Sequence, residues 1–407
     1  MNPSTKITNP KLRFPEFNDP YSSIRMESIL SRVVNAVDVQ PEEEYQQIGI
    51  RSHGKGLFHK KIVKGVELGN KRVFWVEPDL FIVNIVFAWE QAVSKTSISE
   101  VGMIASHRFP MYKTKQEKAY LDYLVWYFLT LKGKYLLELA SPGGAGRNKT
   151  LGQSTFSRLK VTFPSYSEQY KIANFLSSVD KKIQQLTEKQ SLLQQYKKGI
   201  MQKLFSLEIR FKDEQGHDFP DWGSVKLSEI LELQDNAIDM ADEKEYELIT
   251  VRRRNGGVDS RGRFKGKEVL VKNQFKLNSK QFVISKRQIV HGACGLVPEH
   301  LEGAIVSNEY NVFEPIESKL DIKYFNIFAT TLFMRKAFFI NSDGVHIEKL
   351  LFKTRSWLKT KILLPNKNEQ QKIVSFISVL DKKIEFVSQQ IEQTQTFKKG
   401  LLQQMFV

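Results

Sequence analysis

The sequence holds one cysteine, Cys294, in 407 residues. A lone thiol excludes an intrachain disulfide framework and any cysteine-rich zinc site. Histidine is scarce as well: there are seven, with no HExxH-like cluster, so a zinc-hydrolase signature is missing. Long apolar runs are absent. The longest, Leu80 to Trp89, is interrupted by Asn84 and reaches about half of the ~20 residues that span a bilayer. The opening Met1–Pro10 carries no apolar signal core. The expectation is a soluble, cytoplasmic chain with no membrane partner. Acidic residues are the minority charge, 45 against 61 Lys plus Arg, a net charge of +16. That excess fits a polyanionic partner, nucleic acid or an anionic membrane surface; solubility charge is the competing reading. Hydrophobic residues at 41% and aromatics at 11% suffice for real cores, which rules out disorder for most of the chain. At roughly 100–200 residues per domain, two to four domains are expected.

Catalytic signatures are missing in turn. No Asn/Asp-Pro-Pro-aromatic loop is present to hold a target amine for methylation. No glycine-rich turn after a buried strand stands out for adenosyl-methionine. Gly49 to Lys55 has the spacing of a phosphate-binding loop, but Gly56 stands where a hydroxyl residue would bind Mg²⁺. Pro220-Asp221 followed by Asp242-Glu243-Lys244 loosely resembles a metal nuclease, yet the bland reading of a capping Asp and solvated charges is simpler. Gly143 to Arg147 is either a backbone phosphate contact or a plain loop.

What is present is a second copy of the sequence. Pro164, Glu168, Lys171 and Phe175 recur as Pro365, Glu369, Lys372 and Phe376. Asp180-Lys181-Lys182-Ile183 recurs as Asp381-Lys382-Lys383-Ile384, Lys197-Lys198-Gly199 as Lys398-Lys399-Gly400, and Phe205 as Phe406, always 201 residues on. Upstream the identity thins, but Ile48–Arg51 still matches Ile249–Arg252 and Gly56 matches Gly257 at the same offset. Leu12-Arg13-Phe14 matches Ile209-Arg210-Phe211 at 197. The chain is two copies of one unit, each a diverged body followed by a well-matched tail.

The tails read as helices. Leu176, Val179, Ile183, Leu186, Leu193, Ile200 and Leu204 fall on alternating three- and four-residue steps, as do Ile377, Leu380, Ile384, Val387, Ile391, Leu401 and Met405. A seam sustained over four to five heptads argues for a coiled coil. Gln190 and Lys197, with Thr394 and Lys398, interrupt it. Pro164 and Pro365 precede each helix, with Ser167 and Asn366 to Asn368 as N-cap candidates. The bodies read as mixed α/β. Short β-rich runs are expected at Ile48–Ile50, Val73–Val76, Leu80–Phe87, Glu247–Val251, Gln281–Ile284, Gln288–His291 and Ala304–Val306. One amphipathic helix per body is expected, at Tyr120–Leu131 and Lys323–Phe333. If the two tails pack antiparallel, each body sits beside the start of one helix and the end of the other.

Basic residues crowd equivalent glycine-rich stretches of both copies. Arg51, His53, Lys55, His59, Lys60 and Lys61 occupy the first. Arg252, Arg253, Arg254, Arg261, Arg263, Lys265 and Lys267 occupy the second. Flexible glycines let a basic loop track a groove. Arginine pairs bidentately with guanine, and lysine neutralises phosphate. A solvated face is the alternative. A second candidate is Ser106-His107-Arg108 with Ser307-Asn308-Glu309-Tyr310, where His107, Arg108, Asn308 and Tyr310 differ on a shared frame. Turn or core chemistry is the competing view there.

The opening Lys11–Phe17, its echo Phe219-Pro220-Asp221-Trp222, and the doubled Glu-Gln-x-Lys-Ile…Phe…Asp-Lys-Lys-Ile helix resemble the specificity subunits of type I restriction–modification systems over nearly the whole chain. The first opening departs from the pattern, with Tyr21 nearest to the place of Trp222, and a local packing change is expected. The resemblance implies an α/β (α+β) architecture: two pseudo-repeated target recognition domains, 1–163 and 207–364, joined by two long antiparallel coiled-coil spacer helices, 164–206 and 365–407, with pseudo-twofold symmetry. It further implies a non-catalytic subunit that recognises an asymmetric bipartite site in double-stranded DNA. Its partners would be two methyltransferase subunits and restriction/translocase subunits, and adenosyl-methionine, ATP and Mg²⁺ would belong to those partners alone. The rival reading is the recognition part of a single-chain or fused restriction–modification enzyme with its own weak catalytic site.

Overall fold

The computed structural model describes residues 9–143, 149–347 and 350–407. The opening eight residues, with most of the segment read for a signal core, and Gly144–Arg147 of the glycine-rich loop lie outside the described residues. The chain divides into two units: Met1–Glu188 with Ser388–Val407, and Lys189–Val387. Each contains one body, the first part of one long helix and the last part of the other.

The long helices run Tyr166–Phe205 and Lys367–Gln404. Proline keeps the residue before it out of the helical region, and the first free N–H groups are capped immediately afterwards. The Glu168 N–H donates to Ser165 Oγ at 3.4 Å, and the Glu369 N–H to Asn366 Oδ1 at 2.9 Å. The first cap is therefore Ser165, two residues before the expected Ser167, because Tyr166 already lies in the first helical turn.

In the first unit Leu176 and Val179 share a core with Leu401, Met405 and Phe406. In the second, Met201 and Phe205 pack on a core containing Ile373, Ile377 and Leu380. The start of one helix thus meets the end of the other in each unit, an antiparallel pairing. Two of the polar interruptions of the seam supply its register. Lys398 Nζ meets Asp180 Oδ1 at 2.5 Å, and Lys197 Nζ meets Asp381 Oδ1 at 2.5 Å. The repeated Asp-Lys-Lys-Ile and Lys-Lys-Gly motifs are the two sides of these ion pairs.

Each body is built around two sheets. In the first, Leu30–Val33, Met111–Thr114, Phe81–Val83 and Val93–Lys95 form one, and Leu57–Lys64, Glu44–Ile50, Ile104–Ser106 and Val73–Trp75 the other, in those orders. In the second body Leu231–Gln234, Tyr310–Pro315, Phe282–Ser285 and Cys294–Leu296 form the first sheet. The second sheet gains a strand: Ala237–Ile238, Gln274–Lys276, Ile305–Ser307, Glu245–Val251 and Val258–Lys265. A short antiparallel pair, Ser22–Arg25 with Lys160–Phe163 and Gly223–Lys226 with Lys361–Leu364, joins each body's entry and exit just before its long helix.

Three expectations change. The amphipathic segment of each body is two helices, not one: Leu121–Leu129 and Leu131–Leu139, then Ile322–Phe328 and Leu332–Ile340. Thr130 Oγ1 accepts from the Gly133 N–H and Thr331 Oγ1 from the Met334 N–H, so each threonine starts a new helix by capping it. Gln288–His291 is not a strand: Ile289–His291 is a single 3₁₀ turn ended by Gly292 in the left-handed region. Its apolar residues fill a buried corner rather than a pleat. Leu80–Phe87 keeps only Phe81–Val83 as strand, because the buried Asn84 side chain accepts from the Val86 N–H and turns the chain.

Candidate nucleic-acid interface

Both basic stretches are β-hairpins, not flexible loops. Glu44–Ile50 pairs with Leu57–Lys64, and Glu245–Val251 with Val258–Lys265. The turns between them are closed by the Arg51 N–H donating to Gly56 O at 3.0 Å and the Arg252 N–H to Gly257 O at 2.9 Å. Inside the turns His53 and Gly54, and likewise Arg254 and Asn255, have φ between 56° and 64°. This left-handed geometry is disfavoured for most side chains. It is held from outside: the His53 and Gly54 N–H groups donate to Glu90 O and Gln91 O at 2.7 and 3.1 Å. The Arg254 and Asn255 N–H groups donate to His291 O and Gly292 O at 2.7 and 2.9 Å. The 3₁₀ turns Ala88–Glu90 and Ile289–His291 are the anchors of the basic turns. Gln91 ties the first anchor to the helices through its Nε2, which donates to Phe128 O at 2.9 Å and Thr130 O at 3.2 Å.

Each hairpin carries a β-bulge at the same place. In the second, the register slips between Leu248 and Ile249, leaving Arg261 between the partners Ser260 and Gly262. In the first, it slips between Gln46 and Ile48, so that Lys60 and Lys61 lie opposite Gln47. Bulges twist a strand locally and re-aim its side chains. Lys60 and Arg261 are 201 positions apart, so a frame shared by both bodies carries a different cation in each.

The residues singled out in the sequence lie on this frame and on the turns between the sheets. Arg51, His53, Lys55, Lys60, Lys61, His107 and Arg108 are exposed, as are Arg252, Arg253, Arg254, Arg261, Arg263, Lys267 and Asn308; Lys265 and Tyr310 are half-buried. Several are paired. Arg51 donates to Leu57 O at 2.8 Å and lies over the Phe58 ring. Lys60 reaches Gln47 Oε1 at 3.2 Å. Arg252 pairs with Asp259. Lys265 and Lys267 share Glu243 at 3.2 and 2.8 Å. Hydrogen bonds from Lys267 and Lys265 hold the Glu243 carboxyl below the usual carboxylate range. Such exposed pairs contribute little to stability. Beside the first hairpin, His59 Nε2 lies 2.9 Å from the buried Glu100 carboxylate.

The structure brings Arg261 and Tyr310 together. Both line a cavity of 290 Å³ with Ser307, Gln274 and the apolar Val269, Leu270 and Val271. Burial raises the Tyr310 hydroxyl pKa, and the Arg261 charge pulls against that. The Ser106–Arg108 and Ser307–Tyr310 segments carry the chain from one sheet to the other of each body, with the Ile85 N–H donating to Arg108 O at 3.0 Å and Lys286 Nζ to Asn308 O at 2.5 Å.

The Gly49–Lys55 segment is the end of a strand and a hairpin turn, with no helix for a phosphate to cap; a Cβ at Gly49 would strike the Phe58 ring at 2.3 Å. Asp221, Asp242 and Glu243 are engaged with Arg210, Lys272 and the lysines above, and no cluster suited to a metal ion occurs among the described residues.

Sequence reasoning missed the joint between each body and its helix. Glu168 is buried and accepts from Arg13 Nε and Nη2, both at 2.8 Å, and from Tyr21 OH at 3.1 Å. Glu369 accepts from Arg210 Nε and Nη2 at 3.2 and 2.9 Å and from Trp222 Nε1 at 3.0 Å. Tyr21 is thus more than a packing change: its hydroxyl replaces the indole N–H. The adjacent Gln169 and Gln370 accept from the Tyr120 and Asp321 N–H groups at 2.9 and 2.7 Å, which ties the body's helices to the same point. The signal was a Glu-Gln pair repeated at the start of both long helices.

Two equivalent α/β bodies, each with a basic hairpin, and two long helices define the class of fold. A family model described as the type I restriction modification DNA specificity domain matches residues 76–195 and 220–395, and the chain belongs to this family, whose role is target recognition without catalysis. A curated relative, the type I restriction enzyme MjaVIII specificity subunit of Methanocaldococcus jannaschii, is 25% identical over 366 residues, 83% of this chain and 80% of that one. The HsdS subunit of Thermoanaerobacter tengcongensis has a similar fold, with a TM-score of 0.55 at 12% identity over 97% of this chain and 98% of that one. So does a chain from a structure of type I R-M complex assembly and conformational transition, with a TM-score of 0.58 at 12% identity over 96% and 98%. Among the described residues no helix is long and apolar enough to cross a membrane.

Proposed function

We propose that this chain reads an asymmetric, bipartite site in double-stranded DNA, one half per body. It directs two methyltransferase subunits and the restriction/translocase subunits to that site in the cytoplasm. In this reading residues 1–163 and 207–364 are the recognition domains, and 164–206 and 365–407 the spacer helices. The chain needs no cofactor of its own; adenosyl-methionine, ATP and Mg²⁺ act in the partners. The observation that carries the reading is the twin hairpin: one anchored turn and one bulge, occurring twice, with different side chains mounted on it. Exposed lysines and arginines there suit phosphate and guanine, and the difference between Lys60 and Arg261 suits different half-sites.

The test is a map of modified sites across the genome in cells with and without this chain. A split motif that disappears with the chain is expected. Exchanging Ile48–Tyr112 for the matching part of a related protein should then alter one half only. A continuous motif, or both halves changing together, refutes the reading.

A further inference from the structure

The cavity beside Arg261 is unlike the rest of the cationic surface. Val269, Leu270 and Val271 line it in succession, and the Leu270 side chain is 95% exposed. An isolated surface leucine is ordinary. This one extends an apolar wall whose other rim is Arg261 and Tyr310, on a strand that also carries the exposed Arg263. Arg261 on that rim suits a polyanion, yet the apolar wall and the neighbouring Glu268, whose carboxylate accepts from the Lys265 N–H, offer nothing to phosphate. On double-stranded DNA the apolar group on a base edge is the 5-methyl of thymine in the major groove. Resting on the reading above, we infer that this cavity seats a thymine edge, with the methyl group against Leu270 and Val271 and Arg261 beside it.

The first body lacks the wall. Gly69 and Asn70 stand 201 positions before Leu270 and Val271, and Phe109 stands before Tyr310. The half-site read by the second body therefore contains a methyl contact that the Gly69 and Asn70 positions of the first body do not make.

The experiment uses the full chain in its methyltransferase complex and duplexes bearing the mapped target, with each thymine replaced singly by uracil. One position in the second body's half should lose about fourfold in affinity, the worth of one buried methyl group. Leu270→Ala should lose a similar factor and no longer distinguish thymine from uracil at that position. Its side chain is exposed, so an unchanged melting temperature is the folding control. A second-body half without thymine, equal binding of every uracil duplex, or retained discrimination by Leu270→Ala overturns the inference. Arg261→Ala and Lys267→Ala separate the two levels. If they leave affinity and salt dependence untouched, the second body does not read DNA through this surface, and the broader reading fails with the methyl seat. If they weaken binding while uracil is tolerated everywhere, the methyl seat alone fails.

Discussion

Replacing Arg210 with methionine should loosen the second unit at one identifiable point. The Glu369 carboxylate is fully buried, and its partners are the two Arg210 nitrogens at 3.2 and 2.9 Å and the Trp222 indole at 3.0 Å. Arg210→Met keeps most of the stem volume and strands the carboxylate. Breaking a buried pair from one side costs about 3–5 kcal/mol. The Arg210 side chain is 23% exposed, so water reaches part of the site and the lower figure, about 3 kcal/mol, applies. At about 2–4 °C per kcal/mol for a unit of this size, the melting transition should fall by about 6–12 °C. Hydrogen exchange should place the loosening between Ser206 and Lys226 and at the start of the second long helix. Combining Arg210→Met with Glu369→Leu removes the orphan charge and should recover at least half of the loss. A single-variant cost below about 1 kcal/mol, the scale of a surface pair, refutes the argument, as does a double variant less stable than the single one.

Cys294 is buried and its thiol is pushed up to about 12, so roughly one in ten thousand is thiolate at pH 8; iodoacetamide should label it in urea and not in the native protein, and rapid native labelling contradicts the packing. Burial works to raise the Glu100 pKa, but hydrogen bonds from His59, Ser97 and Ser99 outweigh it and hold the carboxyl below its usual range. The stability it lends is present above the unfolded carboxylate pKa and is lost as the pH falls through the depressed folded value. Glu100→Gln should therefore flatten the acid limb of a urea-midpoint profile below about pH 4.5, and an unchanged limb counts against the assignment. A double-mutant cycle on Lys398 and Asp180, with charge reversal of both, should return a coupling of about 0.5 kcal/mol; no coupling means that this pair does not set the helix register. Lys265→Ala and Lys267→Ala should each weaken DNA of any sequence alike and lower the salt slope by about one, whereas sequence-selective loss would make them base readers.

The two long helices, their antiparallel pairing and the mixed α/β character of the bodies were legible because heptads and a constant offset survive divergence. The start of the second helix was also legible, since Asn366 is itself a good cap. What escaped depends on tertiary partners. The turns at His53 and Arg254 look flexible because they are rich in glycine, but backbone donors fix them to 3₁₀ segments some 37 residues further on. The break at Thr130 was written in Thr130 and Gly133, and apolar periodicity running through it masked the cap. The Glu-Gln pairs were visible as a repeat, yet nothing local says that Glu168 meets Arg13, 155 residues away. The bulges that aim Lys60 and Arg261 arise from strand pairing, which neither residue encodes alone. The pairing of Arg261 with Tyr310 in one cavity follows from the packing of strands of two different sheets, not from their spacing.

Ser388–Val407 belongs to the first unit, where Phe406 stacks on Tyr123 at 5.1 Å and the Leu12 N–H donates to Gln404 O at 2.9 Å. The second unit, Lys189–Val387, is one unbroken stretch. On the ribosome the order of completion is therefore reversed. The core of the first body stays open until Leu401, Met405 and Phe406 have emerged, whereas the second unit is complete in sequence at Val387. Loss of Ser388–Val407 therefore removes packing partners from the first unit and leaves the stretch that forms the second intact.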